Sequence, residues 1–199
     1  MKNIPLFTSL FLLAACSTGI PVEKYNALPA SPEKFSICHG YSCTYKSAAG
    51  FSKAEWNKIT GLVRGAKDAK AERSKIAKVI AQMETFTGKK TGTNRDFKEA
   101  TSSKPDNYQL DCIDETVNTT QYLKMLQKAG LLKFHAPSPP THRGYLFDGR
   151  WPHNTAVIKE TKTGKEFVVD SFYRANGGEP YIVPRADWLS GWRPPGATQ

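Results

Sequence analysis

Apolar and polar positions follow several different rhythms along the 199-residue chain. Residues 4–15 form an uncharged run rich in Leu, Phe and Ala. Over 17–34 the rhythm is lost, and Pro21, Pro29 and Pro32 oppose both a helix and a central strand. A helical pattern opens after Ser52, a capping residue with Glu55 three positions on, and Gly61 and Gly65 weaken it. Over 66–87, Ile76, Val79, Ile80 and Met83 recur at helical spacing, so one face of that segment is buried. Residues 88–107 read as a loop with at most one short turn; Gly88-Lys89-Lys90-Thr91 lacks the preceding glycine spacing of a phosphate loop. Asp111 caps a helix over 111–128, Asp114 lies in its acidic first turn, and Gly130 stops it. At 100° per residue, Cys112, Thr119, Leu123 and Leu126 share an inward side. Asp114, Asn118, Gln121 and Lys128 share another. Pro137–Pro140 break the chain, after which the period changes to that of strands: 153–158, a turn at 161–165, then 166–173, together a hairpin, with a third strand at 181–183. Helices first and antiparallel strands after predict an α+β fold.

Composition narrows the class. With 39% hydrophobic and 11% aromatic residues the chain is neither mainly disordered nor collagen-like, and four cysteines are too few for a disulfide-dense mini-scaffold. The formal charge of +10 comes without a basic run of the kind that marks a nucleic-acid tail, so no nucleic-acid partner is expected. The balance favours an acidic partner or an anionic envelope surface.

The first residues read as targeting rather than fold. A basic start and a short apolar run, too short to span a bilayer, suit a secretory signal peptide over 1–15. Leu13-Ala14-Ala15-Cys16 resembles the lipobox of bacterial lipoproteins. That resemblance implies cleavage before Cys16, acylation of its thiol, and a membrane anchor held by buried methylenes. Residues 16–34 would then be the lipidated Cys and a flexible tether, and 35–199 one folded domain. Ser17, rather than Asp, after the lipidated position implies the outer membrane, facing the periplasm.

Export also shapes the cysteine reading. Cys38 and Cys43, within Cys-His-Gly-Tyr-Ser-Cys, are the expected disulfide. A metal site from Cys38, His39 and Cys43 is the alternative, and it lacks a second Cys pair. Cys112 is left unpaired, and so is either reactive or buried and inert.

A thiol attacks carbonyls as thiolate, with a free pKa of about 8.5. A helix N-terminus stabilises that anion and offers N–H groups to an oxyanion. Asp111 and Asp114 oppose a further anion, so a cationic partner is needed, and His153 is the best placed. If the hairpin register sets Asp170 against Thr155, then His153 and Asp170 share a face diagonally, within reach of a hydrogen bond. Cys112, His153 and Asp170 then form a nucleophile, base and orienter. Gln109 is the candidate oxyanion donor, with Tyr108 and Trp151 as rivals; packing is the blander role for each. His39, His135 and His142 show no partner in the sequence and are read as non-catalytic. Trp188 and Trp192 read as core plugs.

Leu110-Asp111-Cys112-Ile113-Asp114, then His153-Asn154-Thr155-Ala156-Val157, then Val168-Val169-Asp170-Ser171 resemble, in order and spacing, the bacterial transglutaminase-like cysteine proteinases of the periplasm. The resemblance covers residues 70–175 and implies a papain-like core: a nucleophile helix packed on an antiparallel sheet, with a Cys-His-Asp triad. It also makes calcium a possible ligand, which the local motif does not support, since Leu110 and Ile113 depart from Gly-Asp-Cys-Glu-Asp; no other cofactor is expected. The implied activity is a cysteine peptidase or amidase, or an acyltransferase, on a protein or cell-wall peptide. The alternatives are a non-catalytic lipoprotein that uses the same fold to bind protein or peptidoglycan, and a structural envelope lipoprotein with Cys112 buried.

Overall fold

The computed structural model describes residues 30–101, 106–144 and 152–198. The expected signal peptide, the lipidated Cys16, most of the tether and Trp151 lie outside the described residues. Two hairpins and three long helices make up most of the rest. Strands β1 (Phe35–His39) and β2 (Tyr45–Ala49) pair antiparallel, followed by helices α1 (Lys53–Val63), α2 (Ala69–Thr91) and α3 (Cys112–Lys128). Strands β3 (His135–Arg143), β4 (His153–Glu160), β5 (Glu166–Asp170) and β6 (Tyr181–Pro184) form one antiparallel sheet in that order, and a short helix α4 (Arg185–Leu189) closes the chain. The fold is α+β, as the sequence predicts. No described helix is long and apolar enough to cross a membrane.

The caps explain the helix boundaries. Ser52 and Glu55 form a reciprocal capping box at the head of α1. Asp68 caps α2 through the Ala71 N–H. That helix runs through Gly88, past the expected end, and the glycine there makes room for its neighbours: a Cβ would sit 2.6 Å from Asn176 Oδ1 and 2.8 Å from the Asn94 nitrogen. It stops at Gly92, in the left-handed region with φ 86°.

The sheet separates two layers. Ala156, Ile158, Phe167 and Val169 face α2 and α3, where they meet Ile76, Val79, Ile80, Met83, Tyr122, Leu123 and Leu126. Each fully buried Val, Ile, Leu, Phe or Met side chain contributes about 1.5–3 kcal/mol. Val157 and Val168 point the other way, onto Trp188 of α4.

Two expectations are corrected. Pro137, Pro139 and Pro140 do not break the chain: they lie in β3, whose register to β4 shifts between Ser138 and Thr141. β3 is an edge strand, where a missing N–H and a bulge are tolerated. The fold reaches back into the expected tether, since Ser31 and Lys34 pair backbone to backbone and the Phe51 N–H donates to the Pro32 carbonyl at 2.7 Å. On the polar side of α3, Asp114, Asn118 and Gln121 are buried under the β1–β2 hairpin. Asn118 accepts from the Cys38 N–H (2.8 Å) and donates to the Cys38 carbonyl (2.9 Å), and Gln121 donates to the Ser36 carbonyl (2.7 Å).

Candidate active site

Cys112 is the first residue of α3 and the free, half-buried cysteine among the described residues. Asp111 precedes it as N-cap: its Oδ1 accepts from the Ile113 and Asp114 N–H groups, and Asp114 returns a bond to the Asp111 N–H. As first helical residue, Cys112 keeps its own N–H outside the helix ladder.

Cys38 and Cys43 are joined by a disulfide, as the sequence predicts. The loop they close lies over the head of α3. Gly40, Tyr41, Ser42 and Cys43 all take positive φ, three of them without glycine's freedom. What holds them there is a set of N–H bonds to the helix cap: Tyr41 and Cys43 donate to Asp114 (2.9 and 2.7 Å) and Ser42 donates to Asp111 (2.9 Å). Burial, then the Asp111 charge, push the Asp114 carboxyl up to about 8 against these donors. Every oxygen of the two caps thus faces N–H groups, an arrangement that does not fit a calcium ion, which needs oxygens converging on it. Cys38, Cys43 and Asp114 bring ligand atoms within 4.8 Å of one another, but the two sulfurs are bonded together. His39 is no ligand either: its ring lies between the Asn107 carbonyl and Ser47 Oγ.

His153 and Asp170 meet as the hairpin argument requires. Ala156 faces Val169 across β4 and β5; one step further, Thr155 stands against Asp170, and His153 reaches it diagonally. The His153 Nε2 to Asp170 Oδ2 distance is 2.9 Å, with both side chains buried. Phe172, Tyr173 and Trp188 enclose the imidazole, with ring centres at 4.9, 5.3 and 5.4 Å. Burial opposes charge on this ring. Asp170 outweighs it by charge and hydrogen bond, the Cys112 thiol adds to the effect, and His153 is raised to about 9. His153 and Asp170 are thus in direct contact, and the Cys112 thiol lies near enough to act on the ring.

Two further residues belong to the site. Trp188, expected as a plug, is fully buried, and its indole N–H also donates to Asp170 Oδ2, at 2.8 Å. Asp170 Oδ1 has no hydrogen-bond partner among the described residues. Arg143 holds Trp188 in turn, stacking 4.2 Å over its ring and donating to its carbonyl and to that of Trp192 (2.7 Å). A buried indole requires an acceptor, and that requirement was the available signal. Asn154 was passed over. It lies on the helix-facing side of β4, in step with Ala156 and Ile158, and its Nδ2 approaches Cys112 Sγ at 3.8 Å.

Gln109 lies elsewhere. Its Nε2 donates to the Arg95 carbonyl (3.1 Å) and toward Asp106 (3.5 Å), and its Oε1 accepts from the Phe97 N–H (3.1 Å). Both ends of the expected oxyanion amide are engaged in bracing the 95–109 loop, because a buried amide must be satisfied locally. The ring of Tyr108 is stacked between His39 and Arg95. His135 also has partners, contrary to the expectation: Glu72 at 2.8 Å and Arg73 at 3.2 Å, a structural cluster remote in chain from Cys112.

Compared with protein-family models, with curated proteins and with solved structures, the chain finds no match.

Proposed function

We propose that the chain is a cysteine hydrolase or acyltransferase acting through a thioester on Cys112, built on a papain-like, transglutaminase-like core. The carrying observation is the 2.9 Å contact between His153 and Asp170, together with Cys112, the free thiol among the described residues, at a helix head close enough to help raise this imidazole. In this reading the Cys112 sulfur attacks an amide carbonyl, His153 serves first as base and then as acid to the leaving amine, and Asp170 orients the ring. Trp188 and Arg143 hold Asp170 in place. The substrate is a protein or cell-wall peptide within reach of a lipid anchor at Cys16, in the periplasm-facing leaflet of the outer membrane.

The test pairs the full chain with its Cys112→Ala variant, each incubated with cell-wall peptides and envelope proteins in the presence of hydroxylamine. Wild type should release amine and yield a hydroxamate, and the variant neither. Binding of these peptides without turnover, unchanged by Cys112→Ala, would replace this reading with the non-catalytic one. For the anchor, radiolabelled palmitate should enter the wild-type chain and not Cys16→Ser; equal labelling overturns it.

A further inference from the structure

We propose that Asn154 is the side-chain half of an oxyanion hole at this site, paired with the backbone N–H of Cys112. The inference rests on the nucleophile reading of Cys112 and gives a role to a residue that the expected triad leaves unused. Its basis is the approach of Asn154 Nδ2 to Cys112 Sγ at 3.8 Å.

Geometry selects this residue. When sulfur attacks a carbonyl, the oxyanion stands two bonds from it, at about 2.7 Å, and a useful donor lies roughly 2.7–3.1 Å from that oxygen. A donor 3.8 Å from sulfur can meet that requirement. Strand alternation supplies the second condition. His153 and Asn154 are consecutive on β4, so their side chains leave on opposite faces. Base and oxyanion donor therefore do not compete for one position. Asp111 takes the N–H groups of Ile113 and Asp114 and leaves that of Cys112, the other donor, outside the capping bonds. Asn154 is also half-buried, open enough to touch a substrate, whereas Gln109 is buried with its amide engaged.

The step balances without another reactant. The thiolate electron pair forms the S–C bond, and the carbonyl π pair moves to oxygen, where Asn154 Nδ2–H and the Cys112 N–H receive it. The oxygen pair then reforms C=O, the C–N bond breaks, and the amine leaves with a proton from His153.

Two reactions of the same sulfur separate this role from its rivals. Acylation by p-nitrophenyl acetate passes through an oxyanion; alkylation by iodoacetamide does not. In Asn154→Ala and in the uncharged, near-isosteric Asn154→Leu, acylation of Cys112 should fall about 10²–10³-fold, while alkylation stays within about threefold. Asn154→Leu keeps the test open if the alanine variant misfolds. A parallel fall in both reactions makes Asn154 a thiol-positioning residue, and no fall in either makes it packing; both overturn the proposal. If wild type is acylated no faster than Cys112→Ala, the nucleophile reading itself has failed, a distinct result that takes this inference with it.

Discussion

At the scale of single residues, Asp170 is the most constrained group of the site. One of its oxygens receives both the His153 imidazole and the Trp188 indole, and the other has no partner among the described residues. Trp188→Phe keeps an aromatic ring in the pocket but withdraws one of these donors. Stability should drop by about 1–3 kcal/mol, read by urea denaturation; a change within about 0.5 kcal/mol, ordinary for surface positions, would show that the indole bond is dispensable. Cys112, His153 and Asp170 were legible because each sits where a local rule places it: an unpaired thiol behind an N-cap, and two residues in a hairpin register. Gln109 was misplaced because chain proximity to Cys112 says nothing about where an amide finds its partners. Asn154 was not legible as a site residue, since strand parity matters only once the facing helix is known, and for Trp188 the need of a buried indole for an acceptor does not say which acceptor it meets.

At the scale of elements, the β1–β2 hairpin and α3 form one unit. Asn118 bonds both backbone groups of Cys38, and Asp111 and Asp114 hold the left-handed loop that follows. Asn118→Ala leaves a buried N–H and a buried carbonyl without that partner, and should cost about 2–4 kcal/mol. Lys124→Ala, on the exposed side of the same helix, should stay within about 0.5 kcal/mol. Equal effects in the two variants would contradict the clamp. The sequence pattern located α3, its caps and the β4–β5 hairpin. It did not show what the polar face of α3 meets, because amides and carboxylates that bond another element's backbone look the same in sequence as solvated ones. The edge strand β3 was hidden for a related reason: its prolines are tolerated only where no neighbour needs their N–H.

At the scale of the whole molecule, burial and mutual repulsion set the pH response. Glu84 is raised to about 7 by burial, Asp96 and Asp114 to about 8 by burial and neighbouring acids, and Glu115 lies well above its ordinary value for the same reasons. His153 is raised to about 9. In every case the folded chain holds a proton that the unfolded chain has already released, so stability should fall as pH rises from about 4 to 9. Glu72 acts in the opposite sense. Burial opposes its charge, but the bonds to His135 and to two backbone N–H groups lower it, so its contribution is lost as pH falls below its ordinary range. Thermal midpoints at pH 5, 7 and 9 should decline in that order even though the last lies nearest the pI of 9.4; a flat or rising series contradicts the buried-acid account. The central claim is also one of whole-molecule convergence, since α3, β4 and β5 each deliver one member of a working group. It is tested most directly by the rate at which iodoacetamide alkylates Cys112 between pH 5 and 8, in wild type, His153→Ala and Asp170→Asn. The account predicts that wild type reacts at least about tenfold faster than either variant below pH 7; superimposable profiles would contradict it.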